Sequence, residues 1–250
     1  LVIVGDAEAS LPTLTEAIGM EISDNAKTRL ATRGKRLADM KPRFLEAAKK
    51  QAAYGWDASP ITGARLCMEL WDQIKKDDWA AGALSDGLGG WGLQLWDMDK
   101  WYQHIGGMGG GGLGYFPAAA VGAALANKKA GRITVSTVGD GSFNLAPGVL
   151  WTAAQQNLPL LMIVHNNGGY HQEVMHLQRM ADQRSRPFLH GNGCTFDNPL
   201  PNYAKLAEGQ GCYAEGPISD PKELGPALKR ALAVVRRGEP ACIDCIAQPR

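Results

Sequence analysis

Residues 132–138 (RITVSTV) are rich in β-branched side chains and read as a buried strand that runs into Gly139-Asp140-Gly141-Ser142. Residues 145–156 have helix-forming composition, with Pro147 near the start. A second apolar run at 158–164 (LPLLMIV) then ends at Asn166-Asn167-Gly168-Gly169. Two strands joined by about a dozen helical residues make a βαβ unit, and the strands of such a unit are parallel. This predicts an α/β fold: a doubly wound, mainly parallel sheet with helices on both faces. Both strands then end on the same sheet edge, where open sheets of this kind place their ligands.

The rest of the chain is read around that unit. Residues 1–4 suggest a short apolar strand and 11–18 the start of a helix, as at the end of a preceding domain. Residues 27–50 are rich in Lys and Arg with few apolar anchors, which predicts a solvated connecting helix. A helix is expected over 61–75, entered through Pro60, and a strand over 80–84. A glycine-dense loop at 106–114 leads into a helix over 117–128. A last helix over 220–237 and a strand over 241–246 are expected to close the sheet. Cys242 and Cys245 stand three apart in that strand and so face opposite sides, which makes them core residues rather than a metal or redox pair. The expected domain limits are 1–22, 23–58 and 59–250. A chain that opens on Leu1 without methionine is expected to be part of a longer protein.

The chemistry lies at the ends of the two central strands. Parallel pairing makes Asp140 and Asn167 neighbours although they are 27 positions apart. A carboxylate, an amide oxygen and a glycine carbonyl are hard oxygen donors suited to Mg²⁺ or Ca²⁺. Three such donors leave about half an octahedral shell open to phosphate oxygens and water. Gly139, Gly141 and Ser142 add backbone amides and a hydroxyl at a strand-to-helix turn, an arrangement that favours anions. The residues themselves describe a metal-bridged diphosphate site.

The run from Gly139-Asp140-Gly141-Ser142 to Asn166-Asn167, with 24 residues between Gly141 and Asn166, resembles the signature of thiamine diphosphate (ThDP) enzymes. The resemblance implies that Asp140, the Asn167 side chain and the Gly169 carbonyl hold the metal, with Tyr170 a further cofactor contact. Upstream, Gly112-Leu113-Gly114-Tyr115-Phe116-Pro117 is similar to the loop beneath the aminopyrimidine ring in acetolactate synthase-like and benzoylformate decarboxylase-like enzymes. There the resemblance gives Leu113 the wedge that bends the cofactor into its V shape and gives the Gly111 carbonyl its 4'-amino contact. Ser85-Asp86-Gly87-Leu88-Gly89 occupies the place of the family's first diphosphate turn, which adds Gly87. The order Tyr170-His171-Gln172-Glu173 is similar to pyruvate decarboxylase-type enzymes and implies a catalytic Glu173; His171, His176 and His104 are uncommitted, and His165 is read as core or second layer. The GxGxxG fit at 107–112 follows no strand and is not read as a dinucleotide site.

The resemblance covers residues 61–246. It implies ThDP- and Mg²⁺-dependent cleavage or formation of a C–C bond beside the carbonyl of a small 2-oxo acid or ketone, either decarboxylation or acetolactate synthase-like carboligation. The activating glutamate of such enzymes sits on a pyrimidine-binding domain, and nothing before residue 59 provides one. The other half of the site is therefore expected from another chain or from further sequence, in a homo- or hetero-oligomer (dimer or tetramer). The alternative is a catalytically inert ThDP–Mg²⁺ scaffold subunit. A formal net charge of +1 gives no electrostatic footprint for nucleic acid or a membrane surface, and scattered cysteines favour a reducing cytoplasm. Trp91, Trp96, Trp101 and Tyr102 are expected either to line an acyl pocket or, more in keeping with their spacing, to pack at an interface.

Overall fold

The computed structural model describes residues 2, 4–84, 90–107, 112–189, 191–196 and 198–249. The chain divides into two compact units, Leu1–Ala47 and Ala48–Arg250. The first holds α1 (Ala7–Glu21) and most of α2 (Asp24–Ala52). Asp6 caps α1 by accepting from the Ala9 amide at 2.8 Å. Neither helix buries a residue within this unit, as the charge-rich composition of 27–50 predicts. Val2 and Val4, expected in a strand, are exposed and lie in none. A strand needs a paired edge, and apolar composition alone does not supply one.

The second unit is built on a five-stranded sheet in the order β1-β2-β3-β5-β4, with every pairing parallel. The strands are β1 (Trp79–Leu84), β2 (Ile133–Gly139), β3 (Leu160–Asn166), β4 (Tyr213–Ile218) and β5 (Ala241–Ile246). The helices are α3 (Gly63–Ile74), α4 (Trp91–Leu95), α5 (Tyr115–Lys128), α6 (Asp140–Leu145), α7 (Val149–Gln155), α8 (His171–Gln183), α9 (Tyr203–Gly209) and α10 (Pro221–Val235). All seven residues of β3 are buried, as expected for a strand covered on both faces. Leu160, Met162 and Val164 pack with Phe116 and Ala120 of α5, Leu150 and Ala153 of α7, and Tyr203 and Ala207 of α9. The alternate residues Leu161 and Ile163 are equally buried and point to the other face, where α10 lies on the sheet and against α3. The doubly wound α/β architecture expected from the sequence is present.

Three details differ from the sequence expectation. The helix expected over 145–156 begins only at Val149, as α7, and a separate short helix, α6, ends at Leu145 before it. Pro147 lacks an amide and disfavours helical geometry before it, and Ala146 leaves the helix at φ −145°. The helix expected from residue 61 begins at Gly63, because Thr62 caps it by accepting from the Arg65 amide and Ile61 bridges to Ala247. The last strand, β5, is interior rather than closing the sheet. The edge belongs to β4, whose sequence Tyr-Ala-Glu-Gly-Pro-Ile carries a glycine and a proline that an interior strand would exclude. Cys242 and Cys245 are fully buried free thiols, as expected.

Trp96 packs edge-on to Trp79 and stacked on Trp71, and its indole N–H donates to the Cys67 carbonyl at 3.0 Å. It is a core residue. Tyr102 lies beneath the Arg132 guanidinium, while Trp101 is 91% exposed. Among the described residues no helix is long and apolar enough to cross a membrane. Leu161→Ala should cost ~2–5 kcal/mol of stability through the cavity it leaves. Trp101→Ala should stay within about 0.5 kcal/mol. Chemical denaturation of the two variants measures both.

Candidate active site

β2 and β3 pair in register through Gly139 opposite His165, so the residues that follow each strand emerge side by side. Asp140 opens α6, and Asn167, Gly168 and Gly169 form the turn between β3 and α8. Asp140 is 2% exposed. Its Oδ1 accepts from the Gly141 amide at 2.8 Å, and its Oδ2 accepts from the amides of Gly168 and Gly169 at 2.7 and 3.0 Å. The carboxylate of one strand thus organises the turn after the other. Burial pushes the Asp140 carboxyl above its ordinary range; the three amides and the nearby His171 oppose that shift.

Two glycines are required by close approach. A Cβ on Gly141 would strike the Tyr170 ring, and a Cβ on Gly169 would strike the Cys194 carbonyl. Tyr170 is held on that spot by edge-on packing against Phe196, with ring centroids 4.8 Å apart, and by donation from its amide to the Cys194 carbonyl at 2.7 Å. The Phe196 amide donates to the Gly168 carbonyl at 2.8 Å. The end of the polar segment 178–196 is therefore stitched to the turn by a short antiparallel bridge between Gly169 and Thr195. Its beginning belongs to α8.

Gly139, Asp140, Gly141, Ser142, Leu113, Asn167, Gly169, Tyr170 and Glu173 all line one cavity at the carboxyl edge of the sheet. The structure brings these nine sequence-predicted residues together. Gly87 and Gly111 lie outside the described residues. Leu113 is 64% exposed at the cavity rim, and Glu173 is exposed on the first turn of α8. His171 Nε2 donates to the Asn167 carbonyl at 2.9 Å, tying α8 to the turn. His165 and Leu145 also line the cavity. Leu145 carries no sequence signal for this position: it arrives because α6 ends after six residues, opposite Gly114. His176, His104, Trp91, Trp96, Trp101 and Tyr102 do not line it.

The donor set suits a hard cation. A carboxylate offers about four lone-pair positions, and three of those on Asp140 are used by amides, leaving one. The Asn167 Oδ1 accepts only a 3.3 Å contact from the Gly169 amide and likewise has a position left. Among the described residues no Lys or Arg lines the cavity, and the ionisable side chains that do are Asp140, Glu173, His165, His171 and Tyr170. Among the described residues no group of three His, Cys, Asp or Glu is arranged to hold a metal.

This combination of parallel strand ends, buried carboxylate and glycine-asparagine turn is that of a ThDP-binding domain. The chain belongs to the family of thiamine pyrophosphate enzymes, C-terminal TPP binding domain, which it matches over residues 87–245. It is 36% identical over 126 residues to benzoylformate decarboxylase of Pseudomonas aeruginosa, a stretch of 50% of this chain and 22% of that protein. It is 33% identical over 139 residues to the acetolactate synthase large subunit of Haemophilus influenzae, covering 55% of this chain and 22% of that subunit. The chain thus spans less than a quarter of the length of these curated relatives. The fold matches the Rhodococcus jostii RHA1 ThDP-dependent 4-hydroxybenzoylformate decarboxylase with TM-score 0.62 at 23% identity, over 77% of this chain and 34% of that one. Residues 87–245 are thus a thiamine pyrophosphate-binding domain of that family.

The steric reading is testable with alanine. Gly169→Ala should destabilise by ~1–3 kcal/mol because the Cys194 backbone must move. Gly122→Ala, within α5 and with nothing near an added Cβ, should stabilise by up to about 1 kcal/mol. Thermal unfolding of the pair separates the two effects.

Proposed function

We propose that this domain binds the diphosphate of ThDP through a divalent cation, Mg²⁺ with Ca²⁺ as a substitute, held by Asp140, the Asn167 side chain and the Gly169 carbonyl. The observation that carries the reading is electrostatic. The cavity has a buried carboxylate and a second one at its mouth, with no Lys or Arg among the described residues of its lining. A diphosphate bears several negative charges and is repelled from such a lining unless a cation stands between. The lone-pair position left on Asp140 and that on Asn167 are where the cation would be held, and magnesium ordinarily completes its shell with phosphate oxygens and water.

The remaining residues take roles around that anchor. The Gly141 backbone and the Ser142 hydroxyl face the diphosphate, with Gly139 and Tyr170 beside them. Leu113 packs against the cofactor's bend, and Gly111 and Gly87 complete the contacts. Glu173 holds or delivers a proton at the cavity mouth. The bound cofactor would supply an electron sink beside the carbonyl of a small 2-oxo acid or ketone, so that a C–C bond is broken or formed. A pyrimidine-binding domain, from another chain or from further sequence, would furnish the other half of the site in an oligomer. In that arrangement residues 1–22 end a preceding domain, 23–58 connect, and 59–250 bind the cofactor.

Calorimetric titration tests the anchor. ThDP should bind with Mg²⁺ present, binding should vanish with a chelator, and Asp140→Ala should weaken it by roughly 100-fold or more, since losing even an outer hydrogen-bond partner of a metal ligand costs about 10–100-fold. Binding that survives the chelator would remove the ligand assignment. Metal uptake needs an ionised Asp140, and burial raises that carboxyl. Affinity should therefore fall on acidification at a pH above that at which an ordinary carboxylate, near ~3.9, protonates. Adding the pyrimidine-binding domain should yield turnover of pyruvate or benzoylformate; a domain that binds ThDP and never turns over with its partner would be an inert scaffold.

A further inference from the structure

Asp244 lies outside the cavity, in the middle of the sheet on β5, and is 0% exposed. Its Oδ1 accepts from Asn166 Nδ2 at 3.0 Å, and its Oδ2 accepts from the Tyr203 amide at 3.0 Å. The Ala204 amide adds a further contact. A carboxylate is an expensive way to fill a β-sheet interior, since an apolar side chain in such a place is often neutral or stabilising by comparison. Stability alone therefore does not account for it.

The partners of Asp244 reach both strand ends that border the cavity. Asn166 is 1% exposed and immediately precedes Asn167 and the two glycine amides that bind Asp140. Its Oδ1 is buried and has no hydrogen-bond partner among the described residues, while its Nδ2 donates to Asp244. On the other arm, Tyr203 is fully buried, and its hydroxyl accepts from Asn144 Nδ2 at 3.0 Å. Asn144 belongs to α6, the short helix that Asp140 opens, and the Tyr203 ring packs edge-on against Phe143 of the same helix. One buried carboxylate thus ties the end of β3 to the start of α9, and α9 in turn ties down α6.

We propose that Asp244 is a positioning residue for the cofactor site: through Asn166 it fixes the 167–169 turn, and through Tyr203 and Asn144 it fixes α6, so that the Asn167 and Asp140 oxygens keep one geometry. Asp244 touches no cofactor; it acts as outer hydrogen-bond partners of metal ligands do, by removing the freedom of what lies in front. The proposal builds on the metal-bridged diphosphate reading for its binding consequence, while its effect on the turn is independent of any ligand.

The test compares Asp244→Asn, Asn166→Asp and the double swap in the intact protein. Hydrogen exchange at the Gly168 and Gly169 amides is followed without ligand, and ThDP affinity is measured with Mg²⁺. Each single variant should speed exchange at the two glycines by roughly tenfold or more relative to β3 core amides, as local opening becomes easier. Each should weaken ThDP–Mg²⁺ binding by roughly 10–100-fold. The double swap restores an amide-to-carboxylate pair with the roles reversed and should recover both readouts. Single variants that melt earlier yet keep wild-type glycine exchange and affinity would overturn the proposal. If a single variant does not fold, Tyr203→Phe and Asn144→Ala break the second arm without stranding a charge. Faster exchange at the Gly141 amide supports the proposal, and unchanged exchange with unchanged affinity overturns it. An unaltered protein that fails to bind ThDP would refute the cofactor reading, while the exchange result would still decide the role of Asp244.

Discussion

The pairing of β2 with β3 is the constraint on which the rest depends. Their parallel register sets Gly139 opposite His165, which leaves Asp140 and the 167–169 turn side by side at one edge. Neither segment is stable there alone. Asp140 is desolvated, and a buried carboxylate without partners is costly. The turn exposes two backbone amides that no secondary structure satisfies. Each answers the other's need at 2.7 and 3.0 Å, and the price in flexibility is paid at Gly141 and Gly169, where no side chain fits.

That mutual satisfaction is incomplete in a useful way. The amides fill most of the lone-pair positions of Asp140 but leave one, and the Asn167 oxygen is held only weakly. Among the described residues the lining supplies negative charge and no fixed positive charge. The proposed cation would sit at those two oxygens, held within a frame of backbone amides around one carboxylate. The tie from Gly169 to Thr195 and the packing of Tyr170 on Phe196 then fix the outer wall of the cavity.

Much of this was legible in residue order. β-branched and apolar runs at 132–138 and 158–164 dictate strands under any packing, and the spacing between them admits one parallel crossover. Asp140, Asn167, the glycines and Ser142 then fall at strand ends, so the shared cavity follows from periodicity and chain connectivity. Pro147 was also visible, but its effect was not: whether a proline bends a helix or divides it depends on what the flanking turns pack against. The neighbouring β4 was hidden because Gly216 and Pro217 disguise an edge strand, and with it went the interior position of β5 and the start of α9 at Tyr203.

The sequence by itself determined the strand-helix-strand frame and which polar residues fall at the ends of its strands, because local hydrophobic periodicity and chain connectivity suffice for both. Only the tertiary structure decided how those residues are held. The Asp140 carboxylate meets amides 28 and 29 positions away, and Asp244 meets Asn166 across 78. Contacts of that range arise from sheet order and side-chain packing, which no local pattern encodes.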